Sequence, residues 1–152
     1  MLKKVIYWSV KTRIFTGDSW YSGVENLKFL KNQKLAFLFG TEKNRTVSNK
    51  LKKYCLLRSL EILDEGLITH LRAFGLIKLF RQEFKKEESR DYIVYLPDEE
   101  ALNQISKSEF VTIHDTYWGI ESFHRAIKQV CAICRFMLRD SQGIKTQKSC
   151  LK

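Results

Sequence analysis

Apolar positions fall into short runs broken by glycines and charged turns, a spacing that predicts many short elements around one buried layer. Leu2 to Val10 repeats at helical spacing and predicts a short amphipathic helix. Arg13 to Gly17 is short and apolar-centred and predicts a strand. Ser22-Gly23-Val24-Glu25 spells a capping box, in which a serine hydroxyl and a glutamate satisfy free amides at a helix start. It predicts a helix from about Gly23 to Asn32, with Val24, Leu27, Phe29 and Leu30 available to pack. In Lys34 to Gly40 the residues Leu35, Ala36, Phe37, Leu38 and Phe39 are continuously apolar, as in a strand covered on both faces.

After Gly40 the pattern changes. Thr41 to Lys53 is polar and basic and reads as a loop or exposed hairpin. Tyr54 to Ile62, Leu67 to Ala73, Leu76 to Phe80 and Tyr92 to Leu96 are short apolar or alternating stretches separated by Gly66, Gly75 and charged turns, as in an antiparallel sheet. Pro97 precedes a helix whose first turn holds Asp98, Glu99 and Glu100, acids suited to the positive end of the helix dipole. A last long helix is predicted from about Thr116 to Asp140. On it Ile120, Phe123, Ile127, Val130, Cys131 and Cys134 share one stripe, predicted to be core.

Composition adds a partner to this α/β outline. The 152 residues suit one domain, and 27 basic against 17 acidic residues leave a formal charge of +10. A surface that positive favours polyanions, and basic clusters interleaved with aromatics favour nucleic acid among them. No run reaches the roughly 18 apolar residues of a membrane span, and the apolar run at the start is too short for a secretory signal. The expectation is a cytoplasmic protein without a membrane partner. Of the four cysteines, only Cys131 and Cys134 form a C-x-x-C pair, with no second pair or finger-spaced histidines, so core packing is expected rather than zinc.

Beside the apolar stripe of the last helix stand Glu121, Arg125, Lys128 and Arg135, with His124 at the edge. Taken alone, this is an ordinary solvated face with a Glu–Arg pair at i, i+4. The string Trp118-Gly119-Ile120-Glu121-Ser122-Phe123-His124-Arg125-Ala126-Ile127-Lys128, however, resembles the W-x-I-E-x-F-H-x-x-x-K run of insertion-sequence DDE transposases with the Tyr-Arg-Glu-Lys signature. The resemblance makes Glu121 the third metal-binding acid and Lys128 a DNA contact near the transposon end. Residues i and i+7 share one face two turns apart, so one can reach a metal and the other a phosphate. Where that family has an arginine four residues before the glutamate and a tyrosine seven before, this chain has Tyr117 and His114.

Upstream, Asp18 follows a predicted strand and precedes a predicted helix, at the end of a strand where open α/β sheets place functional groups. It could equally close a turn. Gly17-Asp18-Ser19-Trp20-Tyr21-Ser22 resembles the segment around the second catalytic aspartate of the same family. The resemblance implies that Asp18 and Glu121 bind Mg2+ or Mn2+, since two ions about 4 Å apart activate the attacking oxygen and stabilise the leaving one in phosphoryl transfer. It implies a strand cut followed by joining of the freed 3'-hydroxyl to target DNA.

The fold implied is α/β: a partial ribonuclease-H-like core over residues 1–40, a β-rich insertion over 41–97 between the second acid and the glutamate helix, C-terminal helices of the core over 98–146, and a disordered tail over 147–152. In the basic stretch Lys43 and Arg45, with Lys50, Lys52 and Lys53, are the expected phosphate contacts, although a basic loop can simply be solvated. Arg125 and Lys128 complete the expected DNA-binding set. Trp118, Trp20 and Tyr21 could stack on an unpaired base or pack in the core. The seventeen residues before Asp18 contain no acid, so the family's first aspartate is expected to be missing, the chain to be a C-terminal fragment and the fragment inactive alone. Expected partners are DNA at transposon ends and a second copy or a full-length transposase. The alternative is a non-catalytic DNA-binding or transposase-interacting remnant.

Overall fold

In the strand β2 (Ala36–Thr41) Phe37, Leu38 and Phe39 are all buried, which only a sheet covered on both faces allows. The computed structural model describes residues 12–50, 53–84 and 88–130. The Leu2 to Val10 helix, the Cys131–Cys134 pair and the 147–152 tail lie outside the described residues. On one side of β2 runs β1 (Ile14–Gly17), parallel and in register from Ile14 opposite Ala36 to Gly17 opposite Phe39. The crossover between them is a 3-10 turn, Ser19–Ser22, followed by α1 (Val24–Asn32), which buries Leu27 and Leu30. On the other side lies β7 (Ser89–Tyr95), antiparallel to β2.

The remaining strands are β3 (Thr46–Lys50), β4 (Lys53–Leu56), β5 (Leu67–Leu71) and β6 (Gly75–Glu83). Together they complete one seven-stranded sheet in the order β1-β2-β7-β6-β5-β3-β4. The polar stretch after Gly40 is thus a hairpin, β3–β4, with Val47 buried. Strands from the stretch read as an insertion and strands from the stretch read as core share this sheet, because β7 hydrogen-bonds directly to β2.

Side-chain alternation sorts the core into two layers. Phe37, Phe39, Ile77, Leu79, Ile93 and Tyr95 meet Leu27 and Leu30 of α1 on one face. Leu38, Phe80, Tyr92 and Val94 form the other, with Leu102 of α2 (Glu99–Gln104) and Phe110 of α3 (Lys107–Val130). The rings of Phe80 and Phe110 stack at 4.7 Å, and His114 closes the layer through a 2.9 Å hydrogen bond between its Nε2 and the Tyr92 hydroxyl. Between strands, Arg81 of β6 grips the buried Asp91 of β7 with two bonds, of 2.7 and 3.1 Å.

Two helix starts differ from the sequence reading. The Ser22 hydroxyl donates to the Ser19 carbonyl at 2.7 Å, and Gly23, not Ser22, is the N-cap of α1. The 3-10 turn has taken the hydroxyl that the helix would have used. Conversely α3 begins at Lys107, well before Thr116, because Ser106 and Glu109 make the reciprocal box: Glu109 Oε2 accepts from the Ser106 amide at 2.9 Å, and the Glu109 amide donates to Ser106 Oγ at 3.2 Å.

The stripe expected to be core on the last helix is a further correction. Phe110 and His114 are buried, yet Ile120 is 54% and Phe123 62% exposed. Periodicity shows that a helix has an apolar face, not that something covers it. The chain divides into two compact units at this helix, the first ending at His114 and the second beginning at Asp115.

Candidate functional site

Asp18 stands immediately after β1, at the carboxyl ends of the parallel pair β1 and β2. Its side chain is exposed, and Oδ1 accepts the Trp20 amide at 3.0 Å, capping the 3-10 turn. That turn lies flat on β2 because the facing positions lack side chains. A Cβ on Gly40 would come within 3.2 Å of the Ser19 amide nitrogen, and one on Gly17 within 3.0 Å of the Tyr21 ring. A side chain at either position would press on the turn that follows Asp18.

The β2–β3 turn is tied to the same place. Arg45 donates from one guanidinium nitrogen to the Ser22 carbonyl and, at 2.8 Å, to Ser22 Oγ. Burial pushes the Arg45 pKa down, with Glu42 pulling it back up. Arg45 is therefore engaged in holding two turns together. Lys43, on the same turn, is exposed, and its Nζ donates to Ser89 Oγ at 3.0 Å. Lys53 is also exposed, while Lys52 lies outside the described residues.

The aromatic candidates separate clearly. Tyr21 is half-buried and turned toward the core, with its ring 6.4 Å from that of Phe39. Trp20 is 87% exposed. In the second unit Trp118 is half-buried, with the Arg125 guanidinium 5.5 Å over its ring.

Along the second part of α3, Glu121, Arg125 and Lys128 are all exposed. The Tyr117 hydroxyl donates to Glu121 Oε1 at 3.1 Å, so the residue standing in place of the signature arginine touches the glutamate itself. Spacing alone contained this contact, since i and i+4 on a helix are neighbours, but the sequence reading considered only the cationic partners of Glu121. His114, in place of the signature tyrosine, is a buried core residue.

Asp18, Lys43 and Arg45 thus belong to one end of the sheet, and Glu121, Arg125 and Lys128 to the second unit. Among the described residues no three His, Cys, Asp or Glu side chains form a group that could hold a metal ion. A two-ion site needs several converging carboxylates, and within either unit the described residues do not assemble one.

Exposed acids and cations thus stand on a mixed α/β frame, at one end of the sheet and again along the second part of α3. The family is definite: residues 1–148 match the transposase DDE domain, and the chain belongs to that family, whose activity is the cutting and joining of DNA. No curated protein and no solved structure matches the chain. The seven-stranded sheet with helices is compatible with the ribonuclease-H-like fold of DDE transposases, and among the described residues no helix is long and apolar enough to cross a membrane.

Proposed function

We propose that these 152 residues supply the second aspartate, Asp18, and the glutamate, Glu121, of an insertion-sequence transposase of the Tyr-Arg-Glu-Lys group. In this reading 41–97 is the β-rich insertion and 98–146 the C-terminal helices of the core. Divalent magnesium or manganese, when bound by those acids, would activate the attacking oxygen for phosphoryl transfer. The chain's own residues do the positioning. Lys43, Arg125 and Lys128 contact phosphates, and Arg45 holds the turn that presents Lys43. The observation that carries the reading is the place of Asp18: an exposed carboxylate, fixed by its bond to the Trp20 amide, at the carboxyl ends of the parallel strands.

Residues 1–17 contain no carboxylate side chain, so the 152 residues by themselves are expected not to cut DNA. Incubation with supercoiled DNA and magnesium or manganese should leave it intact; metal-dependent nicking that disappears in Asp18→Ala would overturn that expectation. Binding should persist without cutting. Lys43→Ala and Lys128→Ala should each weaken DNA binding uniformly across sequences and lower the salt slope by about 1. Glu121→Gln should bind as well as the parent or better. Failure of both lysine variants to change the slope would remove the assigned DNA-contacting surface.

A second reading is a non-catalytic remnant that binds DNA or pairs with a second copy or a full-length transposase. The exposed Ile120 and Phe123 favour it, because an apolar helix face in water suits a protein partner.

A further inference from the structure

We infer that Trp20 is a stacking platform for an unpaired base of the DNA strand that passes Asp18; the inference rests on the proposed handling of DNA at this end of the sheet. An indole is the largest apolar side chain available, and this one stands 87% in solvent while its neighbour Tyr21 turns toward Phe39. The fold gains little from it there. The turn that carries it is nevertheless fixed from four directions: by Asp18 Oδ1 on the Trp20 amide, by Ser22 Oγ on the Ser19 carbonyl, by Arg45 on Ser22, and by the close approach of Gly40 to Ser19. A large flat ring on a rigid turn loses little conformational freedom when a base lies on it.

The adjoining turn supplies the complementary chemistry. Arg45 bolts the β2–β3 turn to Ser22, and that turn also carries Lys43, an exposed residue whose ammonium donates to Ser89 Oγ. A π-face and a cation on two joined turns match a nucleotide, with a base for the ring and a phosphate for the cation. In a duplex the base faces are hidden in the stack. The substrate class is therefore single-stranded or frayed DNA next to the strand position that Asp18 serves.

The test uses the full chain and a fluorescently labelled oligothymidylate of about 12 nucleotides, a length within the usual site size, against an abasic strand of equal length and charge. Anisotropy titrations are run on the parent, Trp20→Ala and Trp20→Phe. Trp20→Ala should bind the thymidylate strand about 5- to 150-fold more weakly, the range expected for one stacked base. Trp20→Phe should lose less, and all three proteins should bind the abasic strand equally. A protein with Trp8→Phe and Trp118→Phe, in which Trp20 is the one remaining tryptophan, should be quenched on saturation with the thymidylate strand and not with the abasic strand.

Equal affinity of the parent and Trp20→Ala for the thymidylate strand overturns the inference, as does an equal loss on both strands. Salt-dependent binding to both strands that ignores Trp20 sinks the stacking role and leaves the proposed function standing. Absence of binding to either strand at low salt sinks that function itself. If Trp20→Ala leaves both affinities intact but abolishes self-association in sedimentation, the indole is a protein contact and the inference fails.

Discussion

Glu109 is exposed, yet its carboxyl is held below the ordinary glutamate value of 4.5, first by the Ser106 amide, then by the Ser106 hydroxyl, with Lys78 adding attraction. A carboxyl whose pKa is lower in the folded state stabilises fully above its unfolded value and loses that contribution as pH falls through the folded one. Melting curves of the parent and Glu109→Ala, followed by circular dichroism, should therefore differ most at neutral pH and converge well below pH 4.5. A gap that stays constant into acid would mean that the cap does not act through the ionised carboxylate. The same residues show what can be read from sequence at this scale. Two serine–glutamate boxes are present, at Ser22 and Ser106. In the first the 3-10 turn claims the serine that a helix cap would use, whereas the second starts α3. Spacing identifies the partners available to a hydroxyl but not which of them it takes.

At the scale of elements the buried strands were legible because burial on both faces leaves a continuous apolar run, as in Phe37 to Phe39. Within those strands stands a buried charge. Lys78, in β6, is nearly inaccessible, and its ammonium donates at 2.8 Å to each of the carbonyls of Asn103 and Ile105, where α2 ends. Helix ends leave carbonyls without intrahelical partners, and a lysine reaching through the sheet face satisfies two of them. Burial pushes its pKa down while Glu65 and Glu109 pull it up. Lys78→Met keeps the stem and leaves both carbonyls without the ammonium. At about 1–3 kcal/mol for each stranded buried group, urea denaturation should show a loss of about 2–6 kcal/mol. A variant as stable as the parent would mean that water replaces the ammonium at no cost. No periodicity rule could have found this residue, since a lysine in an alternating strand reads as solvent-facing.

For the molecule as a whole, the sequence led to a mixed α/β architecture, a basic surface and the place of Asp18 after β1, all properties set by local order along the chain. It misjudged the stripe on α3, because what covers a helix face is decided by distant residues. Ile120 and Phe123 are more than half exposed and lie in the unit that begins at Asp115, whereas the second core layer of the sheet closes around Phe110 and His114. Replacing both by serine should then leave the unfolding free energy of the sheet unchanged within about 0.5 kcal/mol, the usual effect of surface substitutions. Chemical denaturation at two protein concentrations checks this. A stripe that mediates self-association would make the parent's apparent stability rise with concentration and the serine variant's stay level, since binding to the native state alone adds stability by mass action. A loss above about 2 kcal/mol at every concentration would instead indicate burial within the same chain, and the stripe would then belong to the core after all.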